Sequence, residues 1–288
     1  KLEEERALEI QEAMLRREQN KANRRSSAVE RESLPEWPIH VPNYLVKNNG
    51  WSLWNWFAQR YPAVQGAESL EEALQQFCAW RGINRENFSL IYKTLDGEEF
   101  YEHRPDVPYL AASSIKFPAA FMIYDLMDKG EILLAQPVTY DEERHWESSI
   151  GDLATIKQGD TYTFGELLKY MITQSDNISI NMMYDYLERY VPPYTKGRQR
   201  LADRFGLEHI LDENRITAAE FASIMEEFIE EGPKNPYLGL LAEHMKQAAF
   251  HEFCTAYIPQ NVDVMHKYGD LYEYHNDVGI VLTEDRPY

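Results

Sequence analysis

The order of strand and helix patterns along residues 70–288 constrains the fold more than any other feature of the chain. "FSLIYKTLDGEEFYEHRP" has two β-rich runs on either side of Asp96-Gly97, a dipeptide that favours a tight hairpin turn. The final stretch, "VDVMHKYGDLYEYHNDVGIVLTEDRPY", alternates as two further strands joined by a turn. Helical patterns fill the interval between them. This order predicts an α/β (α+β) domain whose antiparallel sheet is assembled from both ends, with helices on its faces and an all-helical region inserted between.

Several helix patterns have clear ends. "SLEEALQQFCAWRG" begins with a serine cap and ends at a glycine, and "TAAEFASIMEEFIEEG" begins with a threonine cap. "TFGELLKYMITQSDNISINMMYDYLERY" predicts two helices that are interrupted at Ser175-Asp176-Asn177. An interruption of this kind places polar side chains at the end of one helix and the start of the next.

The chain divides into three parts by composition. Residues 1–31 are mostly charged with sparse apolar positions, which predicts a helical stalk or linker. Residues 32–67 are rich in tryptophan and proline, and residues 68–288 form the main domain. The tryptophan-rich part either packs on or next to the main domain or contacts a protein partner. Its tryptophans are Trp37, Trp51, Trp54 and Trp56.

Charge and residue counts exclude several classes of function. The net charge of −19, from 29 basic and 48 acidic residues, repels nucleic acid and does not favour an anionic membrane surface. None of the eight histidines pairs at a metal-ligand spacing, so no metal or other cofactor is expected. Cys78 and Cys254 lie far apart, and either two free buried thiols or one disulfide is compatible with the sequence.

Ser113 and Lys116, in "AASSIKFPAAF", are three residues apart and share one face of a helix. A serine becomes a nucleophile when a base takes its proton, and an apolar setting can lower the pKa of a lysine enough for it to be that base. The backbone N–H groups of a helix start could also stabilise an oxyanion. The alternative is that Ser113 only caps the helix while Lys116 extends to solvent.

Two further elements follow the serine and lysine in order. Ser175-Asp176-Asn177 interrupts two helices, and Lys267-Tyr268-Gly269 lies on a strand near the end of the chain. S-x-x-K, S-D-N and a K-T-G-like triplet together are typical of class A β-lactamases and penicillin-binding proteins. Residues 70–288 therefore resemble the serine β-lactamase and D,D-peptidase superfamily, and most closely its class A-like serine hydrolases.

The resemblance implies a role for each matching residue. Ser113 would be the acylated nucleophile, Lys116 its proton acceptor, and Ser175 the hydroxyl that relays a proton to the leaving group. Asn177 would hold the substrate amide and Asp176 would brace its loop. On the strand, Lys267, Tyr268 and Gly269 would line the substrate site. The backbone N–H groups of Ser113 and Asp270 would form the oxyanion hole.

The chain departs from the family pattern in three ways. Tyr268 replaces the small Thr or Ser that usually helps to bind the substrate carboxylate, and it carries its hydroxyl several ångströms farther out. The E-x-x-L-N segment that supplies the deacylating glutamate is absent, and the nearby acids Glu208, Asp212 and Glu213 are interpreted as loop or cap residues. The family fold normally continues after the region of "TEDRPY" into another strand and a C-terminal helix, which are expected either to lie outside the given sequence or to be replaced by another cover, such as the N-terminal region.

These observations predict a serine acyl-transfer hydrolase that forms an acyl-enzyme on Ser113 with cell-wall peptides or β-lactam amides and deacylates slowly. One alternative is an inactive β-lactamase-like binding or scaffold module, and another is a true β-lactamase whose deacylating acid is Glu213. By resemblance, the protein is expected to be bacterial and extracellular or on the cell surface, anchored in the membrane through a segment outside the given sequence.

Overall fold

The computed structural model describes residues 30–31, 34–39, 66–148, 151–249, 255, 258–259, 261–283 and 287–288. The stalk prediction for residues 1–31 therefore lies almost entirely outside the described residues. The same holds for Trp51, Trp54, Trp56 and Cys254. Cys78 is a buried free thiol. Within the described part of the chain, no helix is long and apolar enough to cross a membrane.

The helices whose ends the sequence marks begin and end close to the predicted residues, whereas the helix expected from Ser113 onward begins only at Lys116. Ser69 caps the first helix by accepting a hydrogen bond from Glu72 N–H, and Gly82 ends it in the left-handed conformation. Thr217 caps a later helix in a reciprocal capping box with Glu220. The α-helices are α1 (Leu70–Arg81), α2 (Lys116–Asp128), α3 (Glu142–His145), α4 (Phe164–Thr173), α5 (Asn177–Tyr190), α6 (Gly197–Phe205), α7 (Ile210–Glu213), α8 (Ala218–Glu231) and α9 (Leu238–Lys246).

The strands of the described residues pair in antiparallel couples. The predicted hairpin around Asp96-Gly97 is β1 with β2, and the predicted pair at the end of the chain is β7 with β8. Two short couples, β3 with β6 and β4 with β5, connect the helical region to the rest. The strands are β1 (Leu90–Lys93), β2 (Phe100–His103), β3 (Tyr109–Leu110), β4 (Pro137–Thr139), β5 (Thr161–Thr163), β6 (Arg215–Ile216), β7 (Asp263–Leu271) and β8 (Tyr274–Leu282).

The two hairpins are joined through residues 287–288. Tyr288 exchanges backbone hydrogen bonds with Val281 of β8, and Leu95 N–H after β1 donates to Pro287 O at 2.9 Å. The Tyr288 ring packs on the Tyr92 ring with centroids 5.2 Å apart. Strands from both ends of the domain thus meet as predicted, but as two hairpins with a short bridging segment rather than one continuous ladder.

Helix α2 lies at the centre of the molecule. Of its 13 residues, 11 are buried, with Phe117, Phe121, Ile123 and Met127 all inaccessible to solvent. A helix that is apolar on all faces must lie in a core rather than at a surface. Lys116 is the first residue of this helix, and it is buried together with the apolar residues that follow it.

Residues 34–39 pack on the main domain. Trp37 sets its ring edge-on against Phe228 of α8 at a centroid distance of 5.0 Å, and Ile39 belongs to the core. Gly239 of α9 approaches the Pro35 carbonyl so closely that a Cβ would lie 2.5 Å from it. Trp37 is therefore part of the domain, which supports the packing interpretation over the partner interpretation for this tryptophan.

Replacing Trp37 tests that packing. We expect Trp37→Ala to lower the free energy of unfolding by about 2 kcal/mol, because it removes most of a partly buried aromatic side chain from the edge of the core. Trp80, which is 53% exposed, provides the matched control, and Trp80→Ala should change that free energy by less than about 1 kcal/mol. Urea denaturation of both variants measures the difference, and equal effects would contradict the packing role.

Candidate active site

Ser113 lies on a tight turn between β3 and α2. A 3₁₀ turn, Ala112–Ile115, contains the serine, and the α-helix begins only at Lys116. Ala112 has a φ of 49°, a left-handed conformation that costs a residue with a Cβ about 1 kcal/mol or more. Ser113 is partly exposed, whereas Ser114 is buried and donates to Ala111 O at 2.6 Å. The turn therefore presents one serine to the surface and fixes the next.

Lys116 is buried and reaches three elements of the site. Its Nζ lies 3.0 Å from Ser113 Oγ, 2.6 Å from Ser175 O and 2.5 Å from Asn177 Oδ1. The residue is only 3% exposed. The alternative in which Lys116 extends to solvent is therefore wrong. Burial lowers the pKa of Lys116 to about 8, while the nearby charges of Asp176 and Glu147 oppose that shift.

The contacts of Lys116 determine where its lone pair points when the amine is neutral. A neutral amine keeps two N–H donors and gains one acceptor site. Ser175 O and Asn177 Oδ1 are carbonyl oxygens, which can only accept hydrogen bonds. These two carbonyl oxygens take the two N–H donors of the neutral amine, so its lone pair faces a hydroxyl. The Ser113 hydroxyl, at 3.0 Å, is closer than the Ser175 hydroxyl, at 3.4 Å. The geometry therefore favours proton transfer from Ser113 to Lys116.

Ser175 connects the two buried lysines. Its Oγ accepts a hydrogen bond from Lys267 Nζ at 3.0 Å and lies 3.4 Å from Lys116 Nζ. Ser175 adopts a φ of 60°, so the loop between α4 and α5 is also held in the left-handed region. Burial, together with the positive charge of Lys116, lowers the pKa of Lys267 well below its usual value.

Asp176 and Asn177 have different positions in this loop. The inaccessible Asp176 carboxylate caps α5 by accepting from the N–H and hydroxyl of Ser179 at 2.7 and 2.8 Å. This position fits the bracing role that the resemblance implies. Asn177 Nδ2 donates to Ser148 O at 3.0 Å, which ties the loop after α3 to the site. That contact was not predicted from the sequence, because nothing near Ser148 resembles a recognisable motif.

Strand β7 passes directly along the nucleophile turn. A Cβ on Gly269 would lie 2.5 Å from Ala111 O, 2.6 Å from Ser114 N and 3.0 Å from Ser113 N, so only glycine allows this approach. The neighbouring residue, Asp270, is exposed and its carboxylate pairs with His275 Nδ1 at 2.9 Å. Gly269 therefore sets the separation between the two backbone segments whose N–H groups are predicted to form the oxyanion hole.

Two asparagines that the sequence analysis did not identify hold the same turn. Asn276 of β8, directly opposite Gly269 in the strand register, donates to Leu110 O at 2.8 Å. Asn214 accepts from Ala111 N–H at 2.8 Å through its backbone carbonyl. The position of Asn276 could have been found by counting across the predicted hairpin. That of Asn214 depends on the β3–β6 pairing, which has no local signal.

Tyr268 lies over Lys267 instead of extending into solvent. Lys267 Nζ is 4.0 Å from the centroid of the Tyr268 ring, and the residue is 6% exposed. The Ser175 hydroxyl forms a hydrogen bond with the phenol, and burial raises the pKa of Tyr268. The phenol is thus within the site. The hydroxyl that is expected several ångströms farther out than that of Thr or Ser thus reaches the Ser175 hydroxyl.

The family assignment rests on most of the chain. The family model described as "Beta-lactamase enzyme family" matches residues 69–288, which include the nucleophile turn, the Ser175 loop and β7. The chain belongs to the β-lactamase enzyme family. A comparison with curated protein sequences finds no match.

Several solved structures share the fold of this chain. A structure titled "Structure of PBP-A" has a TM-score of 0.61 at 23% identity, covering 69% of this chain and 77% of that one. A β-lactamase from Sphaerobacter thermophilus DSM 20745 gives 0.59 at 20% identity, with coverages of 69% and 79%. An ancestral class A β-lactamase gives 0.59 at 18% identity, with coverages of 69% and 81%. The fold class predicted from the sequence is confirmed.

Two of the acids that follow α6 are exposed and do not contact the Ser113, Lys116 and Ser175 side chains in the hydrogen bonds of the site. Glu213 is exposed, and its carboxylate accepts from Arg215 Nε at 2.6 Å. Glu208 is exposed as well. Within the described residues, no group of three or more His, Cys, Asp or Glu side chains could hold a metal ion. The polar groups that the structure brings together around Ser113 are the Lys116 amine, the Ser175 hydroxyl and the Asn177 amide.

A cavity of about 530 Å³ opens beside the Ser148 segment. Its walls combine aromatic and aliphatic side chains with the carboxylates of Glu142 and Glu147. Because Ser148 O binds Asn177, the cavity adjoins the residue that is predicted to hold the substrate amide. Its size suits part of a peptide-like substrate.

Gly269→Ala tests the close approach of β7 to the nucleophile turn. The added Cβ would meet three backbone atoms, so the strand must move away, and a displacement of about 1 Å can cost about 100-fold in rate. Gly165→Ala is the control, because a Cβ there meets its nearest neighbour at an ordinary 3.5 Å. Acylation rates measured with a chromogenic ester should fall in the first variant only. A fully active Gly269→Ala variant would contradict the role of this glycine.

Proposed function

We propose that this protein is a serine acyl-transfer hydrolase that forms an acyl-enzyme on Ser113. The observation that carries the proposal is the buried Lys116 amine, 3.0 Å from Ser113 Oγ, with a pKa lowered to about 8. A lysine with that pKa is about one-tenth neutral at pH 7, which is enough for it to act as a general base. A scaffold module would not need a buried amine at this position, so the observation favours the enzyme over the scaffold alternative.

The reaction balances with the residues at hand. Ser113 passes its hydroxyl proton to Lys116 Nζ, and the Ser113 oxygen bonds to the substrate carbonyl carbon. The bond between that carbon and the leaving nitrogen or oxygen then breaks. The leaving atom takes the Ser175 proton, and Lys116 returns a proton to Ser175 across their 3.4 Å contact. Water later attacks the ester, which releases a carboxylic acid and restores Ser113.

The position of Glu213 supports slow deacylation as part of this proposal. Hydrolysis of the acyl-enzyme needs a base for the attacking water, and Glu213 is exposed and paired with Arg215. This pairing argues against Glu213 as the deacylating acid of a true β-lactamase. Each increase of about 1.4 kcal/mol in the deacylation barrier prolongs the intermediate about tenfold.

Cell-wall peptides or β-lactam amides are the substrate class that the family relationship favours. One similar structure, of a mutant PBP-A that shares 23% identity with this chain, is titled as an acyl-enzyme complex with penicillin-G. An extracellular or cell-surface location, with a membrane anchor outside the given sequence, would bring a bacterial enzyme to such substrates. Detection of a tagged full-length protein in periplasmic or surface fractions, but not in the cytosol, would test this location.

A burst experiment tests the acyl-enzyme. With p-nitrophenyl butyrate, we expect a rapid release of about one equivalent of p-nitrophenol per protein, followed by a slow steady rate. Intact mass should show one butyryl group on Ser113. Ser113→Ala should abolish both signals, whereas Ser89→Ala, whose hydroxyl binds Arg104 O away from the site, should retain them. Absence of any Ser113-dependent burst or adduct would refute the proposal.

The burst rate should depend on pH through Lys116. Only the neutral amine accepts the Ser113 proton, so the rate should rise about tenfold per pH unit at low pH and level off above about 8. Lys116→Arg should eliminate the burst, because a guanidinium stays protonated throughout this range. Stopped-flow absorbance from about pH 5.5 to about pH 10, a range that spans the pKa of Lys116, measures how the burst rate depends on pH. A burst rate that stays constant across that range would rule out Lys116 as the base.

A further inference from the structure

All three N–H donors of Lys267 have partners inside the protein. One donates to Ser175 Oγ at 3.0 Å and another to Tyr268 O at 2.7 Å. The Tyr268 ring covers the ammonium with its centroid 4.0 Å from Nζ, a cation–π distance, and so occupies the remaining direction. An ammonium group has three donors in total. Because Lys267 is also inaccessible to solvent, none of its donors faces an incoming ligand.

Tyr268 is itself held in place. The Tyr268 phenol is hydrogen-bonded to the Ser175 hydroxyl, which also accepts from Lys267 Nζ at 3.0 Å. Tyr268 is buried, and the contact of the next residue, Gly269, with the nucleophile turn fixes the backbone of β7 beside it. A ligand that needs the Lys267 ammonium would have to break the ring contact and the phenol hydrogen bond together.

The charges around the site also disfavour an anionic ligand. The chain has a net charge of −19, which repels anions from its surface. Glu147 lies close enough to Lys116 to act on its pKa, so the rim next to the amines is also negative. A substrate carboxylate on the leaving-group side would therefore lose water without gaining a charged donor, which is costly.

We propose that Tyr268 determines specificity by covering the Lys267 amine, which would otherwise bind a substrate carboxylate. The enzyme is then acylated by substrates whose leaving group has no carboxylate. Such substrates are neutral esters or thioesters and amides within a chain or with a blocked end, rather than peptides with a free terminal carboxylate or β-lactams. This inference rests on the proposed acyl transfer through Ser113. Of the substrate class given there, it keeps peptide amides within a chain or with a blocked end, and it excludes β-lactams.

A matched pair of thioesters tests the inference. Both carry an N-acetyl-D-alanyl group, and the leaving group is either thioglycolate, which has a carboxylate, or its neutral methyl ester. The acyl step transfers the same acyl group to Ser113 and releases the thiol with a proton in both cases. We expect the parent protein to react at least about tenfold faster with the neutral thioester, a difference within the range that a binding pocket can impose.

Three variants identify the source of that preference. Tyr268→Thr should bring the two rates to within about threefold, because the removed ring exposes the ammonium. Tyr268→Phe should keep the preference, since the ring remains. Tyr272→Asn, at an 81% exposed position in the turn of the same hairpin with a φ of 55°, should behave as the parent. Pre-steady-state thiol release measures each rate.

The outcomes separate this inference from the proposed function. Equal rates in the parent protein would overturn the inference while leaving Ser113 acylation intact, and that measurement needs no variant to fold. A preference that persists in a folded Tyr268→Thr variant would also overturn it. Absence of Ser113-dependent thiol release with both thioesters would overturn the proposed function and the inference together.

Discussion

The buried amine of Lys116 is the group on which the rest of the site depends. It is placed by helix α2, which is apolar on every face and begins at this residue. The amine then contacts the nucleophile turn, the Ser175 backbone and the Asn177 amide. Losing any one of those contacts would leave a buried polar group without its partner, at a cost of about 1–3 kcal/mol. The three elements are therefore held together by the same interaction that activates the serine.

The site keeps its shape through backbone features as much as side chains. Ala112 and Ser175 both have positive φ values. Gly269 approaches the nucleophile turn at a distance that no residue with a Cβ permits. Unfavourable conformations of this kind persist only when surrounding contacts outweigh them. Here the backbone of Asn214 and the side chain of Asn276 fix the strand side of the turn, and Lys116 fixes the helix side.

The sequence predicts the fold and the main polar groups because both leave local signals. Hairpin turns, helix caps and the spacing of Ser113 and Lys116 can be read from neighbouring residues, and the structure brings these groups together. The orientation of Tyr268 could not be read in this way. A tyrosine on a strand can lie over a neighbouring side chain or extend away from it, and the Ser175 hydroxyl that binds the phenol comes into reach only in the folded chain. The same reason hides the role of Asn214.

The link between the two hairpins has a consequence for the order of folding. Leu95 binds Pro287, and Val281 binds Tyr288, so residues from the first and last parts of the domain share one edge. Contacts between residues so far apart in sequence form slowly, because a long loop must be closed first. The nucleophile turn contacts Gly269 of β7 and Asn276 of β8, so during synthesis it can be locked in place only after the second hairpin has left the ribosome.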